Sequence, residues 1–410
     1  MTANKHNAVR ALDRISGLVI GSKRNLYLQR CKILIQLKDV GNFKSIPQIA
    51  SDIINGDTIA LDKHFEQGWD IESEIELSKH IKGTPLYLAL LMESFDSVKW
   101  LINHGVNLND RNKPSFLVAV RYCNEDIIRY LVKHGADINA INNVNCEAFE
   151  EAMSGKKLEN LPLINELGHT VEKFGGAAFR STISKIGFDR LTDKDARDDM
   201  KYEALDFFIK NGVDINYNKA DDVHSYESTP ICASARYVDI DMCKYLVKHG
   251  ADITICESDG MRPYNIAVKK GDKEMANYFK SLEPVDFHDM QNKLLELKSY
   301  KLPKPLMEFL QSDSLRVEFE HDEDGGWDIP YVEFFSLIDT VPTKVEKRKL
   351  LLISKETGEY SHIQILWNPK DKCISYYDIS HKEFGNIATF DVFINDMGAC
   401  LQKAIFDEES

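Results

Sequence analysis

One phrase recurs along this chain and restricts what it can fold into. Leu131-Val132-Lys133-His134-Gly135-Ala136-Asp137-Ile138-Asn139 returns as Leu246-Val247-Lys248-His249-Gly250-Ala251-Asp252-Ile253-Thr254. Looser copies run from Leu101 to Asn109 and from Phe208 to Asn216. Each copy closes an apolar helical pattern with a glycine and then turns into a polar stretch. Glycine belongs there because a helix C-terminus commonly ends on a left-handed residue, a conformation that glycine adopts without steric penalty. Used as register marks, Gly68, Gly105, Gly135, Gly168, Gly212 and Gly250 are separated by 37, 30, 33, 44 and 38 residues. A unit that short cannot bury its own apolar face, so the units must stack.

The upstream half of the unit shows as well. Thr84-Pro85-Leu86-Tyr87-Leu88-Ala89 and Thr229-Pro230-Ile231-Cys232-Ala233-Ser234-Ala235 place proline in a first helical turn, where its missing N–H is not needed. Met261-Arg262-Pro263-Tyr264-Asn265-Ile266-Ala267 opens a last, shortened unit. Together these phrases resemble the ankyrin repeat, with its Thr-Pro-Leu-His-x-Ala opening and its Gly-Ala-Asp-hydrophobic-Asn turn. The resemblance implies an all-α solenoid over residues 46–284, of about seven repeats with the ends included, whose business is binding other proteins. The unit around Gly168 lacks Thr-Pro and the Asp-bearing turn. The two long gaps imply insertions near Ile186–Arg197 and Tyr217–Tyr226, read as loops, either on the binding face or as tolerated length variation. Residues 1–45 are expected to form a helical cap, although Leu26–Val40 suits helix or strand equally by periodicity. His104, His134 and His249 recur with the repeat, which implies turn hydrogen bonds instead of ligand or base roles.

After Pro284 the phrase stops. Asp286–Leu297 and Leu302–Leu310 read as helices, and Leu350–Ser354, Ile363–Trp367 and Cys373–Asp378 as strands. Ile387–Met397 reads as the start of a closing helix. Helices bracketing an antiparallel sheet give an α+β domain over residues 286–410. Leu302-Pro303-Lys304-Pro305-Leu306-Met307-Glu308-Phe309-Leu310, with Ile387, Ala388, Phe390, Phe393 and Ile394, resembles the marks of the SUKH superfamily of bacterial toxin-immunity proteins. A departure is Gly325-Gly326, which lies later than the glycine pair that many members carry after the first helix. The resemblance implies an immunity protein that blocks a cognate toxin, in many such systems a nuclease, by steric and electrostatic occlusion. The alternative is an ankyrin scaffold, or an effector directed into a host cell.

Charge bears on the partner. Of the net −14, residues 286–410 carry −10, from 14 basic and 24 acidic side chains. Such a field repels nucleic acid and anionic lipid and favours a basic protein face, so the expected partner is a protein, a toxin domain with a basic face. Glu318, Glu320, Asp322, Glu323, Asp324 and Asp328, with Trp327 among them, form the candidate contact cluster; the plainer reading is a solvated acidic loop. The concave face expected of the repeats is a separate candidate. Glu320-x-Asp322-x-Asp324-Gly325 is similar to the start of a calcium-binding loop, but Tyr331 stands where the twelfth-position glutamate is required, so no metal is expected. No HExxH, phosphate loop, GxSxG or GxGxxG occurs, and no catalytic constellation or cofactor is expected. The eight cysteines form no CxxC pair, and no apolar run approaches the ~18 residues that span a bilayer. With no signal-peptide pattern in the sequence, a cytoplasmic, non-membrane location is expected.

Overall fold

Thr84 and Thr229 each cap a short helix whose first residue is proline: their Oγ1 atoms accept from the Tyr87 and Cys232 N–H groups at 3.3 Å. These helices, Pro85–Leu91 and Pro230–Arg236, are buried nearly throughout. Each is followed by a second helix that buries one side, Phe95–Asn103 through Val98 and Leu101, and Ile240–Lys248 through Met242, Cys243 and Leu246. The computed structural model describes residues 35–183, 194–221, 223–319 and 329–405, in two compact units, 1–160 and 161–410.

In the first unit β1 (Ile35–Leu37) and β2 (Gly41–Phe43) form an antiparallel hairpin. The described part of the expected helical cap is therefore a hairpin, and residues 1–34 lie outside the described residues. Its turn needs left-handed backbone, supplied by Asp39 at φ 55° and by Gly41 at φ 136°. Helix pairs follow at Gln48–Asn55 with Thr58–Glu66, Pro85–Leu91 with Phe95–Asn103, and Ser115–Tyr122 with Glu125–Lys133; Ala148–Ser154 comes last. Between the first two pairs, β3 (Ile75–Ser78) and β4 (Ile81–Gly83) make a short antiparallel finger.

In the second unit helices Leu161–Glu166, Val171–Ile183, Lys194–Lys210, Pro230–Arg236, Ile240–Lys248, Pro263–Lys269 and Lys273–Leu282 precede the C-terminal region. The chain is already helical at Lys194, so that end of the first expected insertion is not a loop, and residues 184–193 lie outside the described residues. The described residues of Tyr217–Tyr226 carry no helix or strand, as expected of the second.

The C-terminal region opens with helices Met290–Leu297 and Lys304–Leu310. Its strands are β5 (Arg316–Glu318), β6 (Tyr331–Phe334), β7 (Val341–Val345), β8 (Arg348–Leu352), β9 (Ser354–Glu356), β10 (Ile363–Asn368), β11 (Cys373–Asp378) and β12 (Glu383–Ala388). They form two antiparallel sheets, ordered β12-β11-β10-β8-β7 and β5-β6-β9. Helices Phe390–Asn395 and Met397–Ile405 close the region. β10 is buried along its length, and its Trp367 donates through Nε1 to the Tyr300 carbonyl at 2.8 Å. Leu306, Leu310, Phe390 and Phe393 lie in this core. Ile387 and Ala388 end β12 instead of beginning the closing helix, because Ala388 pairs with Ile374 across the sheet; Ile394 is exposed.

Across residues 284–286 the chain is tied tightly. Tyr264 Oη donates to Asp339 Oδ1 at 2.9 Å, and Lys293 Nζ donates to the Thr340 carbonyl at 2.6 Å. Gly260 lies so close to Pro342 that a Cβ there would sit 2.1 Å from its carbonyl oxygen. No helix among the described residues is long and apolar enough to cross a membrane.

Candidate protein-interaction surface

The recurring phrase is a set of hydrogen bonds. Gly135 and Gly250 take φ of 98° and 96°, and the following Ala136 and Ala251 N–H groups reach back to the Leu131 and Leu246 carbonyls at 3.0 Å, which closes each helix with a Schellman turn. His104, His134 and His249 place Nδ1 at 2.7, 2.8 and 2.8 Å from the carbonyls of Trp100, Tyr130 and Tyr245. A carbonyl only accepts, so each imidazole carries its proton on Nδ1 and caps its own helix. Each ring also packs on the aromatic side chain of that same residue, with centroids 3.8–4.3 Å apart. These histidines therefore make the turn bonds that the sequence implied.

The phrase also links one repeat to the next. Asp137 and Asp252 each accept at Oδ1 from the backbone two residues on, which holds the turn open. Asn109 donates to the Gly135 carbonyl at 3.0 Å and accepts from the Asp137 N–H at 2.8 Å; Asn216 accepts from the Asp252 N–H at 2.8 Å. One asparagine side chain thus fixes the spacing of adjacent fingers, and the face beside them becomes a rigid platform.

In the first unit that platform borders a cavity of about 160 Å³. Tyr87, Lys113, Leu117, Arg121, Tyr122 and Glu151 line it. Lys113 Nζ sits 3.8 Å from the centre of the Tyr87 ring. Arg121 Nη1 donates to Glu151 Oε2 at 3.1 Å, and Tyr122 Oη donates to Asp39 Oδ2 of the hairpin at 3.0 Å. Burial raises both tyrosine hydroxyls above their ordinary range, so they remain donors at neutral pH. Burial acts to lower Arg121, but its bond to Glu151 together with the charges of Tyr122, Glu151 and Asp39 outweighs this and raises it. The half-exposed Tyr87 ring beside Lys113, backed by the buried Tyr122, forms the kind of patch that carries binding energy at protein interfaces.

In the second unit Arg236 occupies the same place, the seventh residue of its first helix, as Arg121 does in Ser115–Tyr122. Its acids come from the next finger: Nε donates to Glu257 Oε2 at 3.0 Å, and Nη2 reaches Asp259 Oδ2 at 3.3 Å. Here strands β9 and β10 line the same cavity as Arg236. This face is covered by the chain itself.

Of the acidic cluster singled out in the sequence, Glu318 ends β5, exposed, and accepts from Arg316 Nε at 3.0 Å. Glu320, Asp322, Glu323, Asp324, Trp327 and Asp328 lie outside the described residues. Sequence reasoning did not single out Tyr87, Lys113, Arg121 or Tyr122. A usable signal was present: the seventh residue of the first helix is basic at Arg121, Arg236 and Lys269, and an apolar stack does not require that.

Comparison with known proteins gives matches in the same places. Residues 50–142 and 196–288 match the family model for ankyrin repeats in three copies. A protein of Rickettsia bellii (strain RML369-C), named for ankyrin repeats, is 27% identical over 148 residues, 34% of this chain and 81% of that protein. Ankyrin repeats are thereby supported in a segment of each unit. The stretch between the two matches holds the irregular turn at Gly168.

Proposed function

We propose that the chain is an interaction protein whose ankyrin repeats present a partner-binding platform, with the groove of the first unit as its principal contact. The observation that carries this reading is the combination of a locked finger ladder with a cavity bounded by Tyr87, Tyr122, Lys113 and Arg121. The aromatic rings supply contact area at small entropic loss, and the cations supply orientation. The C-terminal region serves as a second module in this reading, and no step of it requires catalysis.

The experiment is a pull-down with the full chain, followed by calorimetry on any stoichiometric partner. Tyr87→Ala and Lys113→Ala together should weaken binding by about tenfold or more, the loss of ~1.4 kcal/mol or more that a central aromatic–cation pair supplies. Unchanged affinity in a folded double variant would remove the groove from the reading.

A narrower reading, toxin immunity, draws on the α+β order of residues 286–405 and on the charge of −10. It requires the partner to be a toxin domain with a basic face. Glu318→Lys should then weaken binding more than the groove variants do, with a strong dependence on salt.

A further inference from the structure

A cavity of about 330 Å³ lies where helices Pro230–Arg236 and Pro263–Lys269 meet strands β9 and β10. It is at the lower end of the ~300–1,000 Å³ typical of small-molecule sites. Its lining includes four cations, Arg236, Lys269, Lys270 and Lys355, against two carboxylates, Asp259 and Glu356. Arg236 is taken by Glu257 and Asp259, and Lys355 donates to Glu333 at 2.5 Å. Lys269 has no ion pair or hydrogen bond through its side chain among the described residues. Gln364 is 6% exposed, lines the same space and also has no side-chain partner among the described residues. The half-buried Lys269 ammonium and the Gln364 amide open onto the cavity, and a guest with oxygen acceptors would satisfy both.

We propose that this cavity binds a small anion bearing phosphate or carboxylate oxygens, with Lys269 as its counter-charge and the Gln364 amide as a neutral donor. The Tyr226 hydroxyl, also on the lining and without a partner among the described residues, is a further donor. Charge sets the class of ligand: among the described residues Lys269 and Lys270 have no ion pair, against Glu356 as the one lining carboxylate without a cation, so the unmatched charge is positive. Size sets the scale, since the space suits a phosphate, a phosphate monoester or a small dicarboxylate. Burial lowers the Lys269 ammonium below the ordinary lysine range, and a bound anion would reverse that. The site is independent of the interaction reading above, whose groove lies in the other unit.

The test is calorimetric titration of the full chain with inorganic phosphate and, separately, with succinate, each against sodium chloride of matched ionic strength. Saturable binding of one equivalent of either anion is expected, and which one binds identifies the ligand group. Lys269→Met should weaken it by about tenfold or more, as loss of a charge-assisted bond does, and should leave the melting temperature of the free protein unchanged or higher. Gln364→Leu should weaken it in the same direction. It decides the matter should the methionine variant fold poorly. Absence of saturable heat with both anions, or binding that neither substitution alters, overturns the proposal.

Discussion

Arg121 and Arg236 hold the same position in two repeats, yet they serve different ends. Arg121 bonds Glu151, which is 13% exposed, and approaches Asp39, which is 44% exposed, beside an open groove. Arg236 bonds Glu257, whose side chain is fully buried, and Asp259, which is 9% exposed, under the strands of the C-terminal region. The difference teaches that the repeat supplies a cation at a fixed place and the surroundings decide its use. In the first unit water competes for the pair, so the guanidinium can exchange protein partners at small cost. In the second unit burial raises the Glu257 carboxyl above its ordinary range and Arg236 offsets only part of that, so the pair is structural.

The largest effect expected is that of Arg236→Met. It leaves a buried carboxyl without its cation, at a loss of about 3–5 kcal/mol of stability on denaturant unfolding. The same change at Arg121 should lose about 1 kcal/mol or less. Equal losses at the two sites would break the comparison, since they would show that the covering strands do not matter.

A second contrast is between glycines. Gly260 has φ 86°, and a Cβ there would meet the Pro342 carbonyl oxygen at 2.1 Å. Gly135 has φ 98° with no atom within 4 Å of such a Cβ. Gly135→Ala should therefore lose about 1–2 kcal/mol, the strain of a left-handed residue alone. Gly260→Ala should lose about 2–4 kcal/mol, because the clash adds to the strain. If the two losses were equal by thermal unfolding, the last finger would not be pressed against the C-terminal region.

What the sequence revealed follows the range of the forces involved. The phrase ending in Gly135 and Gly250 was readable because a helix cap is local chemistry, completed within six residues by Leu131 and Ala136. The expected strand Cys373–Asp378 has the observed bounds for a similar reason, a compact run of β-formers ending in a turn. The hairpin at Ile35–Phe43 escaped because a short segment suits helix and strand alike until Asp39 and Gly41 are seen in left-handed backbone. The groove escaped because it is non-local: Asp39 and Tyr122 are 83 positions apart. Ile387 and Ala388 fit a helix by sequence pattern because an apolar run before an aromatic pair suits either element. Pairing with β11 settles it, and pairing is invisible to a window.

The smallest effect tests the comparison through pH. Arg180, with its side chain fully buried in the second unit, donates to the Ser228 and Lys219 carbonyls and to Asp221. Asp221 also approaches the ring of His224 at 3.2 Å. Burial, assisted by the charge of Arg180, lowers His224 below the ordinary histidine value, so it is held neutral. Burial acts to raise Asp221, but the His224 backbone N–H and Arg180 outweigh it and lower the carboxyl. A depressed folded value means a contribution present above the unfolded pKa and lost as pH falls. For His224 the loss begins below about 6.5, and for Asp221 below about 3.9, the ordinary values of the two side chains. The stability of wild type relative to His224→Asn, read from urea midpoints, should therefore decline as pH drops from 7 to 5. A difference that stays flat from pH 7 to 5 would mean that burial under the rest of the chain does not hold His224 neutral.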